Sequence, residues 1–162
     1  MATALALATR IATVAAPASN ASEVSTTLTV GAAAAYGVFI DAAEIPRWLP
    51  IVQSARVLTR DLQDRATRVA FMRRLERGSL GYTLEYRYEP IALAVSWTTL
   101  PSSNVILSGE ARFVPLSTKA CLMLYRLHLE LPIVDDTFHG ELDGHPASVV
   151  VAEFREHLRR LC

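Results

Sequence analysis

The sequence lacks the features that would place it in a specialised class of protein. Two cysteines in 162 residues, Cys121 and Cys162, are too few for a disulfide scaffold, so we expect both to be free thiols. Sixteen basic side chains balance sixteen acidic ones, which removes the long-range attraction that nucleic acid requires. The longest uncharged stretch, 90–109, is interrupted by a turn-like Pro-Ser-Ser-Asn. We therefore expect one soluble, cytoplasmic domain with no nucleic-acid partner and no integral membrane segment.

Sequence patterns for metals, phosphates and dinucleotides are also missing. There is no glycine-rich phosphate loop and no dinucleotide fingerprint. His139 and His145 lie six residues apart in an acidic stretch, which we interpret as a solvated loop rather than a metal site. His128 falls on the outer face of a predicted strand and His157 on a predicted helix, so neither is favoured as a general base. We expect no metal and no cofactor, and the sequence assigns no catalytic residue.

The first 21 residues differ in composition from the rest of the chain. They are rich in alanine, threonine and serine, contain no acidic residue, and carry Arg10 within the apolar stretch rather than before it, unlike a secretory signal. We predict a flexible extension over 1–21 and a single domain over 22–162. Two alternatives stay open: a weak signal or transit peptide, and an added edge strand formed by the alternating residues Leu5, Leu7, Thr9 and Ile11.

The rest of the chain alternates in the pattern of strands separated by turns. A strand is predicted over 23–30, followed by an alanine-rich helix after Gly31. Asp41, with a glutamate three residues later, is predicted to cap a second short helix that Pro46 and Pro50 end. Six further strands at spacings of about 8–12 residues predict an antiparallel meander. Their predicted ranges are 52–59, 67–76, 80–89, 91–100, 105–114 and 119–131.

The chain ends with a predicted amphipathic helix that begins near Pro146. Its apolar face is formed by Ala147, Val151, Phe154, Leu158 and Leu161. A seven-stranded antiparallel sheet has one face to bury, and this helix is the only long apolar partner available. The predicted fold is therefore α+β, with a curved sheet around the C-terminal helix and two short helices after the first strand.

Side-chain parity along the strands predicts which residues face inward. The inner set combines apolar side chains with tyrosine hydroxyls, an indole and one guanidinium, which is the composition of a small-molecule pocket. The alternative is a filled core, with the hydroxyls at its rim and Arg73 extending to solvent at a strand end. The predicted ligand-binding residues are Phe71, Arg73, Tyr82, Tyr86, Tyr88, Trp97, Phe113, Met123, Tyr125 and Phe154.

Several short motifs, in order along 23–162, resemble those of the START/birch-allergen-like (SRPBCC) superfamily. They are Asp41 followed by Pro46, Trp48 and Pro50, the strand from Leu93 to Trp97, the run from Gly109 to Pro115, and the alternating strand from Lys119 to Leu131. The set is most similar to the polyketide cyclase/dehydrase branch. The resemblance implies a helix-grip fold with a cavity between sheet and C-terminal helix that binds lipids, isoprenoids or polyketides.

Three functions are compatible with these residues. The first is binding or transfer of a hydrophobic small molecule. The second is a polyketide cyclase, aromatase or dehydratase, in which Arg73 and the tyrosine hydroxyls stabilise a developing enolate on a folded poly-ketone. The third is a protein-interaction module that uses the outer strand face and the N-terminal extension. The sequence also leaves a homodimer open.

Overall fold

The computed structural model describes residues 21–75, 77–103, 105–130 and 146–162. Within these ranges a strand is followed by two short helices, six more strands and a long helix. The predicted 1–21 extension falls almost entirely outside the described residues and stays a prediction. The elements are β1 (Ala21–Leu28), α1 (Ala32–Phe39), a 3-10 turn (Ala42–Glu44), α2 (Ile45–Trp48), β2 (Val52–Arg60), β3 (Ala66–Leu75), β4 (Gly78–Glu89), β5 (Ala94–Thr99), β6 (Ile106–Ser117), β7 (Ala120–Glu130) and α3 (Pro146–Leu161).

The strands form one curved antiparallel sheet in the order β1-β7-β6-β5-β4-β3-β2. Strands β2 to β7 pair consecutively. Strand β1 forms one edge of the sheet by pairing with β7, with Leu28 opposite Cys121. Consecutive antiparallel pairing follows from the short connections between these strands, which leave no room for a parallel crossover. The predicted α+β helix-grip fold, with its seven-stranded sheet, two short helices and long C-terminal helix, is confirmed.

The predicted inner and outer faces of the sheet are also confirmed. In β7, Cys121, Met123 and Tyr125 are buried, whereas Arg126 on the other face is exposed. The inner face packs against α1 and α3, because a sheet with one apolar face needs a covering layer. These helices therefore complete the core.

Helix α3 begins at Pro146, as predicted, and buries Ala147, Val151, Phe154 and Leu158. Leu161, predicted to continue this apolar face, is exposed instead, because it is the last residue of the helix and the burial ends one turn earlier. On the outer side of the helix, Glu156 Oε1 lies 3.5 Å from Arg160 Nε.

Two connections differ from the predicted pattern. Residues 90–93 form a turn and not the start of a strand: Leu93 N–H donates to the Pro90 carbonyl over 3.3 Å, and Leu93 adopts a positive φ of 48°. Ile91 is consequently fully exposed. In β6 the strand continues past Pro115, where a turn was predicted, because a register shift between Pro115 and Ser117 accommodates the missing N–H.

The predicted capping box at Asp41 is not formed. Asp41 precedes the 3-10 turn, and its side chain makes no capping hydrogen bond. Glu44, the other half of the box, instead pairs with Arg47, with 2.8 Å between Oε2 and Nη1. The short helix after this turn has only four residues, so the chain changes direction here within a few residues.

Candidate ligand cavity

The interior of the sheet is hollow over part of its area. A cavity of about 490 Å³ lies between the inner face of the strands, the α2 region and the N-terminal turns of α3. Pockets that bind small molecules span about 300–1,000 Å³ and are mostly apolar with a few directed polar groups. Polar side chains in this wall are Arg73, Ser148 and three tyrosines, and the remaining wall residues are apolar apart from the indole N–H groups of two tryptophans.

Six of the ten predicted ligand-binding residues lie in the cavity wall. They are Phe71 and Arg73 on β3, Tyr82 and Tyr86 on β4, Trp97 on β5 and Tyr125 on β7. Strand register brings them together, because Phe71 pairs with Tyr82 and Tyr86 pairs with Trp97 across neighbouring strands. Their rings are in contact, with centroids 5.7 Å apart for Phe71 and Tyr82 and 6.3 Å apart for Tyr86 and Trp97.

Three of the other four predicted residues lie in solid core. Phe113, Met123 and Phe154 are at most 1% exposed and do not reach the cavity. Phe39 packs against two of them, with ring centroids 5.6 Å from Phe113 and 5.1 Å from Phe154. Parity along a strand separates inside from outside, but it does not tell which stretch of the inside a helix fills.

Tyr88 is the last of the four predicted residues outside the wall, and it lies beyond the cavity at the end of β4. Its hydroxyl donates a hydrogen bond to the carbonyl of Ala66, and the Arg65 guanidinium lies 4.9 Å from the centre of its ring. Burial raises the pKa of Tyr88 to about 12. The hydroxyl thus fixes β4 against the start of β3.

Sequence reasoning missed the part of the wall that comes from the chain between α1 and β2 and from the start of α3. Trp48, the one with a sequence signal, belongs to the Pro-x-Trp-x-Pro motif, and it packs on Phe154 with ring centroids 5.2 Å apart. No periodic signal marks the others, because they lie in or beside the four-residue α2, or on α3 outside the apolar face that its periodicity defines. The missed apolar residues are Ile45, Trp48, Leu49, Ile51, Val52, Pro146, Val149 and Val150.

Gly109 allows Trp97 to lie across the inner face of β6. A Cβ atom at Gly109 would overlap the six-membered ring of the Trp97 indole and would lie 2.7 Å from the Arg126 carbonyl oxygen. Only glycine permits this approach of ring to backbone. The Trp97 ring also packs on Tyr125, with centroids 5.6 Å apart, so Gly109 shapes the cavity floor.

The tyrosines in the wall are uncharged at neutral pH. Burial raises the pKa of Tyr82, Tyr86 and Tyr125, and in Tyr82 the nearby Arg73 charge opposes part of that rise. The pKa of Tyr86 is also raised by the neighbouring phenols of Tyr82 and Tyr125. The wall therefore presents neutral hydroxyls and one arginine to the cavity.

Residues suited to metal, thiolate or imidazole chemistry are not gathered in this wall. Among the described residues no group of three His, Cys, Asp or Glu side chains is placed to hold a metal ion. Cys121 is buried, and burial raises the pKa of its thiol. On the outer face of the sheet, His128 Nε2 lies 2.8 Å from Glu130 Oε1. His157, on α3, stacks on the Trp48 ring with centroids 6.4 Å apart and is not among the residues of the cavity wall. His139 and His145 are outside the described residues.

No helix within the described ranges is both long and apolar enough to cross a membrane. Sequence comparison adds nothing further: no protein-family model matches this chain. Curated proteins yield no match either.

Solved structures with the same architecture are numerous and distant in sequence. A START superfamily protein from Mycobacterium smegmatis matches with a TM-score of 0.74 at 15% identity, over 88% of this chain and 99% of that one. The Zhui aromatase/cyclase from a Streptomyces species matches with a TM-score of 0.71 at 14% identity, over 88% and 95%. Norcoclaurine synthase from Thalictrum flavum, in complex with dopamine and hydroxybenzaldehyde, gives 0.63 at 10% identity, over 98% of each chain. The chain has the START/birch-allergen-like fold that its motifs indicated.

Proposed function

We propose that the protein binds a hydrophobic small molecule, a lipid, isoprenoid or polyketide, in the cavity between the sheet and α3. The observation that carries this proposal is the cavity itself, about 490 Å³ of space lined largely by apolar side chains in an otherwise well-packed domain. Interiors of domains this size are normally packed to crystal density, so an unfilled apolar space has a cost in stability that a ligand recovers.

The size of the apolar wall is sufficient for useful affinity. Burying about 300 Å² of ligand hydrocarbon at roughly 25 cal/mol/Å² gives about 7 kcal/mol before the costs of association. No catalytic group is needed for that energy. Polar wall residues such as Arg73 and Tyr82 then select among apolar ligands by the position of a polar atom.

The test is native mass spectrometry and lipid extraction of protein purified from its own host. We expect an apolar molecule to co-purify with the unmodified protein. Leu127→Trp fills the cavity and is expected to lower its occupancy at least tenfold, whereas Val114→Trp, outside the cavity wall, leaves occupancy unchanged. Protein that never carries an apolar molecule, or equal occupancy in both variants, contradicts the proposal.

A second candidate is a polyketide cyclase or aromatase. Likeness of fold to the Zhui aromatase/cyclase favours it, together with hydrogen-bond donors on a wall that would fold a flexible poly-ketone. Under this hypothesis Arg73 and the tyrosine hydroxyls of the wall stabilise negative charge that develops on an enolate oxygen.

Turnover separates the second candidate from simple binding. Arg73→Ala is compared with Arg74→Ala, its exposed neighbour on the same strand. For an enzyme we expect Arg73→Ala to lower the rate of cyclisation of a linear poly-β-ketone thioester by about 10²–10³-fold with little change in affinity, and Arg74→Ala to leave both unchanged. Absence of cyclised product with the unmodified protein removes this candidate and leaves the binding function standing.

A further inference from the structure

Three tyrosine side chains, those of Tyr82, Tyr86 and Tyr125, line the same cavity. Within the part of the chain that the structure describes, no hydrogen bond joins the hydroxyls of Tyr82, Tyr86 or Tyr125 to another residue, yet their oxygens remain open to the cavity. Tyr88, on the same strand as two of them, does have such a bond, to the Ala66 carbonyl. The missing hydrogen bonds are therefore found at the tyrosines that line the cavity and not at every tyrosine of this strand.

The three hydroxyls belong to one cluster. Tyr86 and Tyr125 both pack on Trp97, with ring centroids 6.3 and 5.6 Å from it, and the Tyr82 phenol on the same face of β4 raises the pKa of both tyrosines. A ligand that seals a hydroxyl from water without hydrogen-bonding to it binds more weakly, so a ligand that fills the cavity is favoured when it brings a polar group to these three oxygens.

Charge in the wall determines which polar group fits. Each phenol remains protonated and can donate, and Arg73 only donates. The described wall residues contain no carboxylate and no imidazole, so an ammonium group would have no counter-ion there. An oxygen acceptor, by contrast, is chemically matched to the donors in this wall.

Tyr125 marks the inner end of the cavity, and Tyr82 and Tyr86 are partly buried. Tyr125 is 4% exposed and its neighbour Trp97 is nearly as buried, whereas Val149 of the wall is 50% exposed and Ser148 beside it is also exposed. A ligand that brings an oxygen to the phenols must therefore enter with its oxygen-bearing end first and leave hydrocarbon near α3.

We infer that Tyr82, Tyr86 and Tyr125 form a subsite for the carbonyl or carboxylate oxygen of an otherwise apolar ligand, bound with that oxygen at the inner end of the cavity. This inference rests on the proposed binding function and specifies which hydrophobic molecules it selects. Ligands of the same shape without the oxygen leave the three hydroxyls unsatisfied and bind more weakly.

A matched pair of probes measures this subsite directly. Acetylnaphthalene and ethylnaphthalene have nearly the same shape and differ by a carbonyl oxygen. Calorimetric titration of the full chain is expected to give an affinity about three- to tenfold higher for acetylnaphthalene, the value of one well-formed hydrogen bond. In the combined Tyr82→Phe, Tyr86→Phe, Tyr125→Phe variant the two affinities become equal within twofold, and ethylnaphthalene binds at least as well as before.

Tyr88→Phe is the matched control, since it removes a hydroxyl from β4 that does not serve the cavity. It is expected to keep the preference for acetylnaphthalene. Should the combined variant fail to fold, the single Tyr86→Phe and Tyr125→Phe variants carry the test, and at least one must reduce the preference twofold or more. An Overhauser contact between the acetyl methyl group and the Tyr125 ring is expected from the inward orientation.

The outcomes distinguish the two proposals. If both probes bind the unmodified protein equally, or if the preference for acetylnaphthalene survives in the combined variant, the proposed subsite is ruled out. The proposed binding function is unaffected by either result. If neither probe binds, the binding function fails and the subsite falls with it. Naphthoate separates the two acceptors: tighter binding than acetylnaphthalene assigns a carboxylate, and weaker binding assigns a neutral carbonyl.

Discussion

The inner face of the sheet has a packed region and a hollow region. In the packed region, Phe113, Met123 and Phe154 are fully buried by their neighbours. In the hollow region, Tyr82 and Tyr86 are enclosed by the domain yet keep surface open to the cavity. Strands β6 and β7 each contribute to both regions, so strand sequence alone does not separate them.

The two regions differ in the helices that cover them. The packed region lies under the middle of α3 and against α1, whose large side chains interlock with the strands. The hollow region is covered by the four-residue α2 and by the first turns of α3. Phe39 of α1 contacts rings of both regions, among them Phe113 and Trp48. One sheet can therefore supply a rigid core and a binding cavity when short and long helices cover different parts of it.

The largest expected effect compares truncation in the two regions. Phe154→Ala is expected to lower the free energy of unfolding by about 3–5 kcal/mol, because the ring is surrounded by partners on every side. Phe71→Ala is expected to cost at least about 1 kcal/mol less, since one side of its ring already faces the cavity and lacks contacts to lose. Denaturant titration of both variants measures the difference, and equal losses would show that the two regions are equally packed.

A smaller effect is expected at the floor of the hollow region. Gly109→Ala places a methyl group against Trp97 and the Arg126 carbonyl, and overpacking of this kind costs about 1–3 kcal/mol. Gly37→Ala is the control: outside its own stretch of helix no atom lies within 4 Å of a Cβ there, and alanine in a helix is favoured by about 0.5–1 kcal/mol. We expect Gly109→Ala to weaken ligand binding as well; a stable Gly109→Ala protein with unchanged affinity would contradict this account of the floor.

The effect that is smallest near neutral pH is a fall in stability on the alkaline side. All five tyrosines have a pKa raised in the folded chain, chiefly by burial. Above pH ~10 the unfolded chain loses phenolic protons that the folded chain retains, so stability is full below that pH and falls as pH rises. Unfolding by denaturant at increasing pH measures this slope.

The control for this pH dependence is the combined Tyr82→Phe, Tyr86→Phe, Tyr125→Phe variant. Its stability is expected to fall less steeply with rising pH. Phenolate absorbance that appears near pH 10 while the chain is still folded would show that these hydroxyls are open to bulk water.

The candidate site was predictable only in part. Parity placed Phe71, Arg73 and Tyr82 inside from sequence, and the cavity wall contains them. The same rule also predicted Phe113 and Met123 as ligand-binding residues, and the structure buries both in the packed core. Parity repeats every two residues along a strand and carries no information on what packs opposite. The wall residues of α2 were missed because a four-residue helix leaves no periodic signal, and those of α3 because they lie outside its predicted apolar face.

By itself, the sequence determined the number and order of strands and helices, the inner face of the sheet and the covering role of the C-terminal helix, because these follow from alternation and helical periodicity. Boundaries at Pro115 and Leu93 depended on a bulge and a positive φ that tertiary contacts hold in place. Only the tertiary structure decided where the interior is filled and where it is hollow. That division depends on the path of α2 and α3 over the sheet, and so on distances between segments that are far apart in the chain.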